Sequence, residues 1–255
     1  MILTDTHTHL YLDEFATDIQ QVIENAYAKD VKYFLLPNID STSVEKMKEL
    51  CKAYPKNMFP MMGLHPTSVK DNYHKELQLV LKELETNKYY AVGEVGIDLY
   101  WDKSFQKEQN FVFRYQIELA REFKLPLVIH TRSSFDDVIN IIEETNADDL
   151  TGVFHCFGGT WEEAVRIKEL GFKFGIGGVV TFKNSGLDKI VDHLDLEDIL
   201  LETDSPYLTP IPFRGSRNES AYIHIVAQKV AELKGVSIEE VANVTTQNAR
   251  DLFKF

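Results

Sequence analysis

The strongest constraint on this 255-residue chain is an alternation of short β-rich runs with helical stretches. The runs are Ile2–His7, Val31–Pro37, Phe59–His65, Tyr90–Gly96, Leu127–Thr131, Gly152–Cys156, Phe172–Ile176 and Ile199–Thr203, eight in all. Segments with the three-four apolar spacing of amphipathic helices lie between them. Phe15–Lys29 carries Ile19, Val22, Ile23 and Ala26; Phe105–Lys124 carries Phe113, Ile117, Ala120 and Arg121; Phe135–Glu144 carries Val138, Ile141 and Ile142. Two helices are predicted to close the chain, Ser216–Leu233 and Ile238–Leu252, the second opened by a Ser237–Glu240 capping box. Strands that alternate with helices pair in parallel through right-handed crossovers. A closed (β/α)8 (TIM) barrel and an open doubly wound sheet both satisfy that rule. Length and strand count favour the barrel. The open sheet would carry a phosphate-binding glycine turn after its first strand, where this chain has Asp5-Thr6-His7-Thr8-His9. With no Pro/Gly/Ser-rich linker or low-complexity stretch, residues 1–255 are expected to form one barrel domain.

Composition narrows the partners. Apolar residues make up 44% and charged residues 26%, an ordinary globular mixture. The longest apolar runs are strand-sized, so no transmembrane helix and no membrane association are expected. Residues 1–10, MILTDTHTHL, have neither a basic start nor an apolar core, so no secretory signal is expected. Cys51 and Cys156 make no disulfide framework and read as reduced thiols of a cytoplasmic protein. Lys plus Arg is 27 and Asp plus Glu is 40, a balance of −13. That excludes a broad basic surface for polyanions, so a nucleic-acid substrate would need a local positive site. No obligate protein partner is evident.

The histidines carry the chemistry. Of eight, five sit at C-terminal ends of predicted strands: His7 and His9 at the first, His65 the third, His130 the fifth and His155 the sixth. Glu94 ends the fourth, and Glu202 and Asp204 the eighth. In a barrel these ends converge on one mouth, where active sites are built. Strand side chains alternate, so His7 and His9 share a face, as do Val128 and His130, Val153 and His155, and Leu200, Glu202 and Asp204. Each set reads as apolar filling with a ligand at the rim. A single strand-end histidine is more often structural, but this many ionisable groups would be expensive to bury without a cation. Four histidines and two carboxylates exceed the needs of one zinc. They suit two ions sharing a carboxylate, for which Glu94 is central, or one ion with the remaining groups around it. Mixed imidazole and carboxylate donors favour Zn, Mn, Co, Ni or Fe over an all-oxygen site.

The chain resembles the TatD family of metal-dependent hydrolases, within the amidohydrolase-like superfamily. The resemblance rests on Thr4-Asp5-Thr6-His7-Thr8-His9-Leu10, Gly63-Leu64-His65-Pro66, Gly93-Glu94-Val95-Gly96-Ile97-Asp98 and Pro126-Leu127-Val128-Ile129-His130-Thr131-Arg132. It continues through Val153-Phe154-His155-Cys156-Phe157-Gly158-Gly159 and Leu201-Glu202-Thr203-Asp204-Ser205-Pro206-Tyr207-Leu208, then Arg214-Gly215, Asn218 and the tail Asn248-Ala249-Arg250-Asp251-Leu252-Phe253. Asp-x-His-x-His alone marks the whole superfamily; the combination is specific. Superfamily members with a carbamylated lysine carry it where this chain has Glu94. The resemblance implies a deoxyribonuclease, often a 3′-to-5′ exonuclease, acting on single-stranded DNA or 3′ ends with two divalent ions drawn from Zn, Mg, Mn, Co and Ni. It implies the ligands His7, His9 and Asp204 for one ion and His130 and His155 for the other, with Glu94 between them.

Other residues are expected to support that chemistry. Asp204 is the expected general base, with Glu94 beside it as a catalytic carboxylate. His65, Arg132 and Arg214 are candidate phosphate contacts, Arg214 because late barrel loops before an extra helix often bind phosphate. Lys183 is a weaker candidate of the same kind. Glu202 and Asp5 share faces with ligands and would buttress them. Cys156 alternates away from His155 and reads as packing toward the helices. Tyr100, Trp101 and Phe157 could stack on a base or act as lids, and His74, His193 and His224 receive no role. A metallohydrolase of the same fold acting on a small ester, aminoacyl ester, phosphoester or lactone is the alternative. A non-enzymatic metal-binding protein fits an open, many-ligand mouth poorly.

Overall fold

The computed structural model describes residues 1–145 and 149–255. Its strands are β1 (Leu3–Asp5), β2 (Val31–Pro37), β3 (Met58–Met61), β4 (Val92–Asp98), β5 (Leu127–Arg132), β6 (Gly152–Phe154), β7 (Lys173–Ile176) and β8 (Ile199–Leu201). All ladders are parallel, and they fall into two sheets, β1-β2-β3 and β4-β5-β6-β7-β8. Single parallel bridges span both seams, Met62 with Val92 and Thr8 with Ser205. Further backbone bonds reinforce them, Gly93 N to Met62 O at 3.0 Å and Asp204 N to His7 O at 2.9 Å. The eight strands therefore follow one ring, the expected (β/α)8 arrangement.

The helices are α1 (Ile19–Ala28), α2 (Val44–Ala53), α3 (Tyr73–Thr86), α4 (Gln106–Phe123), α5 (Phe135–Glu144), α6 (Trp161–Glu169), α7 (Leu187–His193), α8 (Ile223–Lys234) and α9 (Ile238–Phe253). No described helix is long and apolar enough to cross a membrane. The predicted Ser216–Leu233 helix is too long at its start. Before α8 the chain is spent on tying loops together: the Asn218 amide donates to Thr203 O and Tyr207 O, and Arg217 grips Asp18 with two bonds of 2.9 and 2.7 Å. A 3₁₀ turn over Ser220–Tyr222 then leads into α8. Arg214–Asn218 thus do not abut a helix N-terminus. At the α9 start Ser237 Oγ accepts from Glu240 N, the forward half of the expected capping box.

The strand alternation sorts side chains as anticipated. Leu35, Met61, Val128, Val153 and Leu200 from five strands share a buried cluster with Ala249 and Phe253 of α9. Thr246 donates to Ile2 O, and Asn248 to Leu196 O and Ile199 O, so α9 covers the N-terminal end of the barrel. Two residues beyond Val128, Val153 and Leu200 stand His130, His155 and Glu202, at the opposite end.

Candidate metal centre

Six strand ends bring their side chains to one point, and Glu94 is its centre. The β4–β5 register shifts between Gly93 and Val95, and Glu94 occupies the irregularity. Such bulges re-aim a side chain beside active sites. Its two carboxylate oxygens face different partners. Oε2 lies 3.2 Å from His7 Nε2 and 3.8 Å from His9 Nε2. Oε1 lies 2.9 Å from His130 Nδ1, 2.9 Å from His155 Nε2 and 3.3 Å from His65 Nε2. Asp204 Oδ1 joins the first group, 3.5 Å from His9 Nε2 and 3.8 Å from His7 Nε2. The His7 and His155 rings stack at 3.8 Å across the divide.

Hydrogen bonds outside the cluster fix which ring nitrogens can ligate. Tyr11 Oη donates its single proton to Pro37 O, because a carbonyl can only accept. Toward His9 Nδ1, 2.9 Å away, Tyr11 therefore accepts. His9 carries its proton on Nδ1 and presents a free lone pair at Nε2. His155 Nδ1 faces Glu202 Oε1 at 3.3 Å, which likewise leaves Nε2 for the centre. His130 Nε2 faces Asp98 Oδ2 at 3.0 Å and turns Nδ1 inward. A partner on the far nitrogen is the usual device for orienting ligand imidazoles. His65 is wired the other way. The Thr67 backbone N–H donates to His65 Nδ1 at 3.1 Å, so the neutral ring keeps its proton on Nε2 and points a donor inward. His65 therefore resembles a hydrogen-bond donor more than a ligand, although its Nε2 lies within reach of a site with Glu94 and His130.

Charge balance tells the same story. Burial alone would push the Glu94 carboxyl up; the imidazoles of His155, His65 and His7 and the His130 hydrogen bond outweigh it and hold it well below the usual range. Burial opposes protonation of His155 and His130, yet Glu94 and Glu202 raise the first well above its ordinary value, and Asp98 and Glu94 raise the second. Burial likewise disfavours ionised Asp204, but the neighbouring imidazoles of His9, His155 and His7 pull its pKa down. Without a cation, protons on imidazoles must supply the positive charge these carboxylates require. His7 is fully buried, and neither ring nitrogen has a hydrogen-bond partner, an expensive arrangement unless a cation takes one lone pair. The donors of His7, His155 and Asp204, and those of His7, His9 and Glu94, all lie within 4.8 Å of one another. The donor set at this centre fits a divalent cation.

The backbone supports this geometry at a cost. Asp204 (φ 55°), Cys156 (φ 48°) and Ser133 (φ 56°) all adopt the left-handed region at the mouth. At Cys156 this breaks the strand alternation. Its side chain does not pack among the helices as alternation predicts; it lines the mouth. Behind His155, Glu202 Oε1 accepts from Cys156 N, and a Cβ on Gly175 would sit 2.2 Å from Glu202 Oε2, so glycine is needed there. Asp5 is fully buried, accepts from Thr203 N and Oγ1, and has its pKa raised to about 7, chiefly by burial.

The mouth is a cavity of ≈ 670 Å³ whose walls include His9, His65, Glu94, His130, His155 and Asp204. Arg132 and Trp101 line it too. Arg214 lies off its lining, exposed and stacked 4.4 Å from the Phe182 ring, and Lys183 is exposed nearby in sequence to that ring. Sequence reasoning gave no role to Asp98 or Tyr11. Asp98 is four residues beyond Glu94 on the same strand, and Tyr11 continues the every-second-residue series of His7 and His9, so both left a signal.

The chain is similar to known proteins along its whole length. The family model described as TatD related DNase matches residues 4–254. An uncharacterized metal-dependent hydrolase of Bacillus subtilis, YabD, is 40% identical over 255 residues, covering 99% of both chains. The human deoxyribonuclease TATDN3 is 34% identical over 263 residues, covering 98% of this chain and 94% of its own. Among solved structures, the TatD homologue YjjV of Escherichia coli superposes with a TM-score of 0.90 at 27% identity, covering 99% of this chain and 98% of that one. With its family model spanning the barrel from β1 to α9 and its relatives matching end to end, this chain belongs to the TatD family of metal-dependent hydrolases.

Proposed function

We propose that this protein is a deoxyribonuclease that hydrolyses phosphodiester bonds at single-stranded or 3′ DNA ends, working 3′ to 5′ with two divalent ions. The observation that carries this reading is the division of Glu94, one oxygen toward His7 and His9 and the other toward His130 and His155. Such a carboxylate suits a pair of ions, with His7, His9 and Asp204 holding one and His130 and His155 the other. When bound, the ions would polarise the phosphoryl oxygens and make water acidic enough to attack near neutral pH. Zn, Mn, Co, Ni and Mg remain the candidates.

The chain's own residues supply the rest. Asp204, with its pKa held down, stays ionised and takes the proton of the attacking water. The carboxylate of Glu94 stays ionised between the two imidazole sets and keeps them apart. His65 directs Nε2–H into the cavity, where it can donate to a phosphoryl oxygen. Arg132 on the wall offers a second donor, and Arg214, beyond the rim, could meet more distant phosphates. Ligands drawn from β1, β4, β5, β6 and β8 make residues 1–255 one catalytic unit. Two free cysteines suit a cytoplasmic setting.

A second reading has its own support. Arg132 is the one Lys or Arg among the described residues lining the cavity, whose ≈ 670 Å³ suits a small ligand. A small ester, aminoacyl ester, phosphoester or lactone would fit it. Metal-reconstituted protein should be assayed on single-stranded DNA, on duplex with a 3′ overhang and on a panel of esters and lactones. Release of mononucleotides from 3′ ends, abolished by chelation, is the expected result. Turnover of esters with no phosphodiester cleavage would replace the first reading with the second.

A further inference from the structure

The cavity has too little positive charge to follow a DNA backbone and instead offers an aromatic face. Trp101, in the loop after β4, is 72% exposed yet lines the cavity that holds Glu94. Tyr207, in the loop after β8, is 49% exposed and lines the same cavity. Strands four apart stand on opposite sides of an eight-stranded ring, so the two rings flank the histidine–carboxylate floor. The Arg132 guanidinium sits 4.0 Å from the Tyr100 ring centre and 5.2 Å from that of Trp101, and Tyr100 meets Trp101 edge-on at 4.9 Å. Tyr100 and Arg132 thus brace Trp101, while most of the indole remains open. Leaving an indole this exposed has no packing return. A ring beside a cation and next to a phosphoryl-transfer floor matches one nucleotide, with the base on the ring and a phosphate on the guanidinium.

We propose that Trp101 and Arg132 form a subsite for a single unpaired nucleotide next to the scissile phosphate, and that base stacking there, in place of an extended phosphate track, selects the substrate. The proposal rests on the phosphodiesterase reading and adds to it the contact that would select an unpaired end. A paired base is enclosed within the duplex stack and cannot lay its face on Trp101 unless it first leaves the helix.

The chain has two tryptophans, so Trp161→Phe, a substitution on α6 away from the cavity, leaves Trp101 as the only indole reporter. Its fluorescence should be titrated with deoxyadenosine 5′-monophosphate and with deoxyribose 5-phosphate, which lacks the base. Saturable quenching by the nucleotide alone is expected; equal responses to both, or none to the nucleotide, would overturn the subsite. In parallel, Trp101→Ala should lower kcat/KM on a single-stranded oligonucleotide by about tenfold to a hundredfold, mostly through KM, with Trp101→Phe recovering most of it. Cleavage at a 3′-terminal abasic nucleotide should change less than about twofold. An equal loss on both substrates would overturn the proposal, because the ring would then serve the loop and not the base. Because quenching requires no turnover, a protein that binds the nucleotide but cleaves no DNA would retain the subsite and refute the nuclease reading separately.

Discussion

Tyr11→Phe tests the wiring of the metal centre without touching a ligand. The substitution keeps the buried ring and deletes only the hydroxyl that accepts from His9 Nδ1 and donates to Pro37 O. His9 is 3% exposed, so water cannot readily replace the lost acceptor. The ring has one inexpensive answer: move its proton to Nε2, which faces Asp204 Oδ1 at 3.5 Å and Glu94 Oε2 at 3.8 Å, both acceptors. That rescue uses the lone pair meant for the cation. Metal binding must then reverse it and leave Nδ1–H unpaired in a buried setting, a cost of about 1–3 kcal/mol. At about 1.4 kcal/mol per tenfold, metal affinity should fall by roughly 5- to 150-fold, overlapping the usual 10–100-fold cost of removing a group that orients a ligand. The chelated protein escapes most of that cost and should lose only about 1 kcal/mol, from the orphaned Pro37 carbonyl. Calorimetric titration of chelated protein with Zn or Mn measures the first quantity, and denaturant unfolding with chelator present measures the second. Affinity within about twofold of wild type, with the whole penalty in the chelated fold, would refute the tautomer argument and leave Tyr11 as packing.

Three further outcomes follow from the same geometry. Asp204→Asn keeps an oxygen and the side-chain shape but loses the basic carboxylate; hydrolysis should fall at least about a hundredfold while calorimetry still finds an ion held by His130 and His155, and near-normal turnover would move the base elsewhere, with Glu202 next. His65→Ala should leave metal content intact by elemental analysis yet lower kcat/KM on a phosphodiester, because Nε2 carries a proton; an emptied metal position would make His65 a ligand. Ligation requires neutral imidazole, and the pKa values of His155 and His130 are raised in the absence of a cation. Metal binding near pH 7 should therefore release at least about one proton, and affinity should rise with pH until these rings titrate. Calorimetry in buffers of different ionisation enthalpy reads the number, and zero release would show that both rings are already neutral.

Much of this site is legible because a parallel barrel converts local pattern into three-dimensional position. A histidine or carboxylate at a strand's C-terminal end is carried to the mouth whatever the loops do, and the period of two says which side it faces. That logic placed His130 two beyond Val128 and His155 two beyond Val153, with the valines inside the barrel. It failed where the backbone leaves the strand region. At Cys156 a φ of 48° turns a residue expected among the helices into the mouth. Before α8, Asn218 and Arg217 spend their hydrogen bonds on distant loops, so a helical pattern from Ser216 does not become helix until Ile223.

The deeper limit concerns protons. Sequence spacing can nominate His9 and His65 equally, since both end strands and both bring Nε2 near Glu94. What separates them is whether the far nitrogen meets an acceptor or a donor. For His9 the answer lies in Tyr11, whose own direction is set by the carbonyl of Pro37, 26 residues from it. For His65 it is the backbone amide of Thr67, fixed in a 3₁₀ turn that begins at Pro66. A carbonyl cannot donate and an amide N–H cannot accept, so these two contacts assign opposite roles to chemically identical rings. Neither role can be exchanged by moving the histidine alone. To turn His65 into a ligand, its turn would have to withdraw the Thr67 amide, so that the Thr67 hydroxyl, 2.7 Å from Nδ1, could accept from that nitrogen in its place.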